Sequence, residues 1–132
     1  MSGPRRRTPA PEPYAIMWRF PAPDAHPRAA DDDVGRLLLF AELAHAERFA
    51  SRVRARSGGL EAVPALCPPL VALDLLETNG VPYEDIEGRV VVVEAQTTGP
   101  ADCARWCDEL ADGLVGRLAD AFAEFLDRRG AA

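Results

Sequence analysis

The stretch from Gly88 to Gly130 constrains the fold of this chain more than any other. Residues 88–96 read Gly-Arg-Val-Val-Val-Val-Glu-Ala-Gln and predict a β-strand, because consecutive β-branched side chains favour extended backbone. Residues 100–129 carry apolar side chains at three- and four-residue spacing and predict one long amphipathic helix. A strand that leads into a helix of this length indicates a domain of the α+β class.

The predicted C-terminal helix has clear signals at both ends. Pro100 is tolerated in a first turn, Asp102 suits the positive end of the helix dipole, and Arg128–Arg129 suit the negative end. Gly113 and Gly116 are expected to mark a kink or a point of close backbone approach. The face expected to be buried consists of Cys103, Trp106, Cys107, Leu110, Leu114, Leu118, Ala121, Phe122, Phe125 and Leu126.

Length and composition predict one domain with a short arm. The 132 residues are 48% hydrophobic and 27% charged, which suits a single unit with its own core. Residues 1–13 contain four prolines and three arginines and predict a disordered arm, which leaves residues 14–130 as the domain. The lysine-free composition is typical of a GC-rich bacterial genome.

Charge and cysteine content limit the partners and the compartment. The net charge is −6, and because residues 1–13 carry +2, the remainder carries −8. An acidic body repels phosphate backbones, so we expect no nucleic-acid partner. Three cysteines, no apolar run of membrane-spanning length and no apolar signal segment favour a cytoplasmic protein without a membrane partner.

Residues 35–57 have two interpretations. As one helix, apolar residues from Leu39 to Val53 form a stripe that ends at residues 57–59. As two pieces, residues 36–42 form a buried strand and a helix begins near Leu43. An internal echo favours two pieces, because Gly-Arg followed by four apolar residues occurs at position 35 and again 53 positions later. That separation suits a βαβ-type unit.

Three shorter segments complete the predicted architecture. Residues 14–20 alternate and predict a strand with its aromatic residues on one face, residues 60–66 a short edge strand limited by Pro64, and residues 68–78 a buried helix. We expect a two-layer α+β sandwich in which a mixed or antiparallel sheet of about three to five strands packs against three helices. A ferredoxin-like arrangement is favoured, with valines 90–93 covered on both faces.

Cys67 is the best candidate for thiol chemistry. Two prolines follow it, and residues 75–83 read Leu-Leu-Glu-Thr-Asn-Gly-Val-Pro-Tyr. Residues 66–86 thereby resemble the active-site helix of glutaredoxins and of glutathione-transferase N-terminal domains, and the resemblance implies a nucleophilic Cys67. The chain departs from that pattern at Leu70, which replaces the resolving cysteine. The two prolines also remove backbone donors that would lower the pKa of the thiol.

Arg48, Arg52 and Arg56 are the predicted partner-binding residues. Their four-residue spacing aligns them along one face of a helix as a basic ridge. Guanidinium groups bind carboxylates and phosphates through two parallel hydrogen bonds, so this ridge can dock an acidic partner. The alternative is a solvated helix face whose charges complement the helix dipole.

No metal or cofactor is predicted. Cys103 and Cys107 are one helical turn apart, but neither His26 nor His45 lies near them in the sequence to complete a zinc site, so both cysteines are expected in the core. No phosphate loop, dinucleotide fingerprint or Ser–His–Asp arrangement is present.

Three hypotheses for function remain open at this point. The leading one is a non-catalytic cytoplasmic binding or adaptor protein that acts through protein–protein contact, with another protein or a second copy as its partner. The alternative is a thiol-dependent enzyme that uses Cys67. A third is a small enzyme with a carboxylate site such as Glu84 and Asp85.

Overall fold

A computed structural model describes residues 12–68, 71 and 88–131 of the chain. Within them the chain forms a mixed five-stranded sheet, two long helices and a single-turn helix, which confirms the α+β class. The elements in chain order are β1 (Tyr14–Arg19), β2 (Arg28–Ala29), β3 (Leu37–Phe40), α1 (Leu43–Ser57), β4 (Glu61–Leu66), β5 (Val90–Val93), α2 (Ala95–Thr98) and α3 (Pro100–Ala131).

Strand β1 lies at the centre of the sheet. It pairs along its whole length with β4 in antiparallel register, from Tyr14 opposite Leu66 to Arg19 opposite Glu61. Its other edge pairs with β2 and, at Tyr14 alone, with Phe40 of β3. The predicted strands at 14–20 and 60–66 are therefore both present, and Pro64 lies on β4, which pairs with β1 alone in the described part of the chain.

Strands β3 and β5 pair in parallel and bear out the two-piece interpretation of residues 35–57. Leu37 lies opposite Val90 and Phe40 opposite Val93, so the register equals the 53-residue spacing of the internal echo. Gly35 and Gly88 precede the two strands with φ values of +83° and +86°, a left-handed backbone that glycine adopts at little cost. The chain then turns at Glu42, which has extended backbone, and α1 begins at Leu43.

The main core lies between one face of the sheet and the helices α1 and α3. The alternation predicted for β1 is confirmed, because Ile16 and Trp18 face this core whereas Ala15 and Met17 face the opposite side of the sheet. Phe40 of the sheet packs against Phe49 of α1 with 5.1 Å between ring centroids. The opposite face of the sheet has its own buried cluster, which consists of Ala15, Ala29, Leu37, Leu39 and Cys67.

Three details of the predicted architecture are not confirmed. The valine strand is only partly covered, because Val93 is buried while Val92 is 46% exposed. The third helix, over residues 68–78, falls almost entirely outside the described residues. The ferredoxin-like arrangement is not confirmed either, because that arrangement places a helix after its first strand, whereas here β1, β2 and β3 follow one another directly.

Helix α3 is one continuous element of 32 residues, slightly longer than predicted. The expected close backbone approach at Gly116 is wrong, because a Cβ atom added there would meet nothing within 4 Å. A Cβ atom at Gly113 would meet only the Arg117 side chain, at 3.4 Å. In the described part of the chain no helix combines the length and the apolar character needed to cross a membrane. The arm predicted at residues 1–13 lies almost wholly outside the described residues.

Candidate functional site

Helices α1 and α3 lie side by side and are joined by a ladder of ion pairs. Arg48 donates two hydrogen bonds to the Asp108 carboxylate, at 2.9 and 2.8 Å. Arg52 donates two to the Asp112 carboxylate, at 2.7 and 2.8 Å. Each pair advances by four residues on both helices, so the two helices run in the same direction, as expected after the parallel strands β3 and β5.

The ladder shifts the acid–base equilibria of its carboxyl groups. Hydrogen bonds from Arg48 hold the pKa of Asp108 below its ordinary value, and hydrogen bonds from Arg52 do the same for Asp112. These side chains are between 23% and 51% exposed, so solvent screens each pair, whose main effect is to set the register of the two helices. Two members of the predicted basic ridge therefore have partners within the chain, and partner binding by the whole ridge stays a prediction.

The third rung of this ladder lacks its acidic member. Arg56 lies one turn beyond Arg52, and the same register places Gly116 opposite it. Among the described residues, Arg56 forms no hydrogen bond or ion pair. Since the space above Gly116 is open, a carboxylate supplied from outside the chain has room to approach the Arg56 guanidinium.

Arg56 also lies at the junction of two surface depressions. A shallow polar depression of about 300 Å³ runs along the ladder and is lined by Arg48, Ser51, Arg52, Ala55, Arg56 and Asp108. An apolar groove of about 260 Å³ begins where α1 ends, and its lining includes Leu60, Val115, Leu118, Phe122 and Leu126. Leu126 is 50% exposed at the rim. Arg56 acts on Asp108 and Asp112 only through its charge and forms no hydrogen bond or ion pair among the described residues. It adjoins an unfilled apolar surface, and we call this surface the Arg56 groove.

Cys67 lies far from this surface, in the cluster on the opposite face of the sheet. It is only 1% exposed, and burial raises the pKa of its thiol. Its backbone N–H donates to the carbonyl oxygen of Pro13 at 2.8 Å. This hydrogen bond continues the pairing of β4 with β1 just beyond Leu66. Burial of this kind disfavours the thiolate that a nucleophile needs. Most of the segment that resembles glutaredoxins, including Glu84 and Asp85, lies outside the described residues.

The structure brings together a thiol and an imidazole that are distant in the sequence. His45 Nδ1 lies 3.1 Å from a carboxylate oxygen of Glu42 and 3.5 Å from the sulfur of Cys103. The sequence signal for this proximity was the internal echo of residues 35–40 and 88–93. His45 and Cys103 each lie in the first turn of a helix that follows one of the two paired strands. A catalytic relay needs one partner on each ring nitrogen, whereas here both partners contact Nδ1. Burial also raises the pKa of the Cys103 thiol.

Cys107 lies one helical turn after Cys103 on α3. It is fully buried in the main core, and burial raises the pKa of its thiol to about 12. The prediction that Cys103 and Cys107 pack in the core is confirmed. Within the described ranges, no group of three or more histidine, cysteine or acidic side chains is arranged to hold a metal ion.

The residues of the two leading hypotheses lie on different sides of the sheet. The arginine row lies on the α1–α3 surface and Cys67 on the far side of the sheet, so they cannot contribute to one site. At the Arg56 groove a charged side chain adjoins exposed apolar area. Comparisons of the chain with family models, with curated proteins and with solved structures find no match.

Proposed function

We propose that this protein is a small, non-catalytic cytoplasmic binding protein that acts as an adaptor through protein–protein contact at the Arg56 groove. The observation that carries the proposal is the vacant third rung of the ladder. Arg56 faces Gly116 in a register where the two preceding arginines each face an aspartate. The cation and the adjoining groove together define what a partner has to supply.

A partner with an exposed carboxylate beside apolar side chains would match this surface. The carboxylate would complete the third rung with the two-bond geometry already present at Arg48 and Arg52. The apolar side chains would fill the groove, and burial of apolar area contributes about 25 cal/mol per Å². The charge pair would mainly set orientation and selectivity, and the groove would supply most of the affinity.

The three arginines have different roles in this proposal. Arg48 and Arg52 hold α3 in register against α1, so they shape the surface without being free to bind. Arg56 makes the contact with the partner. A binding test that changes all three arginines would disturb the fold and the contact together, whereas changes at residues 56 and 116 separate them.

Affinity capture with matched baits tests the proposal. Gly116→Asp places a carboxylate of the chain itself opposite Arg56 and so occupies the third rung. Gly116→Asn adds a side chain of the same size without the charge and serves as the control. We expect a specific partner from an extract of the native host to bind the wild type and Gly116→Asn, and to be lost from Gly116→Asp and Arg56→Glu.

Two results would count against this function. Retention of the same partner by all four baits would show that the contact lies elsewhere on the molecule. Failure of the wild-type bait to retain any protein that the Arg56→Glu bait does not retain would remove the support for a binding role at this surface.

A further inference from the structure

We propose that the occupant of the Arg56 groove is a second copy of this chain, docked with its α3 antiparallel to α3 of the first copy. This inference rests on the proposed function, because it names the partner of the same surface. It is carried by two independent properties of the C-terminal half of α3, the spacing of its apolar residues and the position of its charges.

The apolar residues that α3 contributes to the groove are self-complementary. They are Val115, Leu118, Ala119, Phe122, Ala123 and Leu126. Their spacing is the same in both chain directions, so a two-fold axis near residues 120 and 121 brings each onto another member of the set. Val115 then faces Leu126 of the second copy, Leu118 faces Ala123, and Ala119 faces Phe122.

Size and exposure favour this pairing. Ala119 and Ala123 are small and exposed, which allows two helices to approach closely. Phe122 is buried and forms the floor of the groove, whereas Leu126 projects from the rim with half its surface exposed. An antiparallel copy inserts each Leu126 into the groove of the other, where Val115 is only partly covered. Each copy thus supplies both the projection and the cavity, as an isologous contact requires.

The charges agree with the same orientation. Asp120, Glu124 and Asp127 are exposed on α3 and, within the described residues, form no ion pair. The antiparallel pairing places Asp127 of the second copy level with Leu114 of the first, within about one helical turn of Gly116. Its carboxylate can therefore complete the third rung on Arg56. The two-fold axis generates two such pairs in each dimer.

Sedimentation equilibrium of the full chain between roughly 1 and 100 µM tests this inference, a range that covers micromolar association. We expect the wild type and Gly116→Asn to reach twice the monomer mass. Gly116→Asp and Leu126→Glu should raise the dissociation constant by about tenfold or more, because the first competes for Arg56 and the second buries an unpaired charge in both symmetric contacts. Leu43→Glu is the matched control, because Leu43 is also exposed, at 42%, but lies at the start of α1 away from the groove.

A charge exchange tests the orientation directly. Arg56→Asp and Asp127→Arg should each weaken the dimer, and the double variant should recover most of the lost affinity. A wild type that stays monomeric at the highest concentration overturns the inference, as does a dimer that Leu126→Glu leaves unchanged. If the wild type is monomeric while captured protein is lost from Gly116→Asp, the second copy is excluded and the proposed function stands.

Discussion

The two halves of α3 have similar sequence patterns but different surroundings. From Pro100 to Leu114 the helix packs on α1, with four side chains exposed by 2% or less: Cys103, Cys107, Ala111 and Leu114. From Val115 onward, Phe122 is the one buried side chain among the residues that the structure describes. The cause is length, because α1 has 15 residues and α3 has 32, roughly 22 and 48 Å. The apolar stripe of α3 therefore continues beyond the helix that covers it.

The C-terminal half is attached to the fold by a different contact. Phe20, just after β1, stacks on Phe122 and Phe125 with ring centroids 5.7 and 5.0 Å apart. Arg129 in turn lies over the Phe125 ring, 5.5 Å from its centroid. This aromatic cluster fixes one side of the helix and leaves the side toward α1 open. A long amphipathic helix can thus be structural in one half and present a contact surface in the other.

The largest expected difference between the halves is in the cost of the same substitution. Leu114→Ala should lower the free energy of unfolding by about 2–5 kcal/mol, because it creates a cavity at a side chain that is 2% exposed. Leu126→Ala should change it by less than about 0.5 kcal/mol in the monomer. Urea denaturation of the two variants measures both values. Equal losses would mean that the C-terminal half is as much part of the core as the first.

The open space at Gly116 predicts a gain in stability. Gly116→Ala should raise the free energy of unfolding by about 0.8–1 kcal/mol, because alanine is the better helix former and its Cβ atom meets no neighbour. Gly35→Ala is the contrasting variant, since its φ of +83° strains any side chain and should make the change destabilising. A loss of stability at Gly116 would contradict the vacancy on which the Arg56 groove depends.

Low pH should remove the stabilising contribution of the ion-pair ladder, which involves only the first half of α3. The folded-state pKa of Asp112 is depressed, so its stabilising effect is complete above the unfolded-state pKa, near 3.8, and is lost as the pH falls through the lower folded-state value. Asp112→Asn should lower the melting temperature at pH 7 by roughly 1–3 °C. The difference from wild type should shrink toward zero as the pH falls below 3.8 and through the lower folded-state pKa.

A matched acid in the second half provides the control for that titration. Glu124 is exposed and has no ion-pair partner among the described residues, so Glu124→Gln should change the melting temperature at pH 7 less than Asp112→Asn does. Thermal unfolding followed by circular dichroism between pH 2 and 8 separates the two variants. A pH-independent effect of Asp112→Asn would mean that the ladder pair is not formed in solution.

Much of the backbone was predictable because it depends on local pattern. Four apolar residues after Gly-Arg indicate a strand at both copies of the internal echo. The residues that pair between β3 and β5 are 53 positions apart, which is the spacing of the two copies. The helical spacing after Pro100 likewise gave the limits of α3 to within two residues. These features depend on side-chain periodicity and on end signals, which a single sequence contains.

The candidate site was less predictable because it depends on contacts between distant residues. The arginine spacing on α1 was evident, but pairing with Asp108 and Asp112 depends on two helices 60 positions apart running in parallel. The position of Gly116 opposite Arg56 follows only from that register. Similarly, His45 and Cys103 meet because two strands pair in parallel, and no local signal connects an isolated histidine with a cysteine in the core.

The vacancy of the third rung is tested most directly by a double-mutant cycle in stability. Gly116→Asp and Gly116→Asn are compared with Arg56 present and after Arg56→Ala, at concentrations low enough to keep the chain monomeric. Asp112 and Asp120 repel an aspartate at position 116 in either background, so the test is the change between backgrounds. We expect the stability of the Asp variant relative to the Asn variant to be more favourable by about 0.2–1 kcal/mol with Arg56 present than after Arg56→Ala. The same difference between the Asp and Asn variants in both backgrounds would contradict the register and, with it, the Arg56 groove as a contact surface.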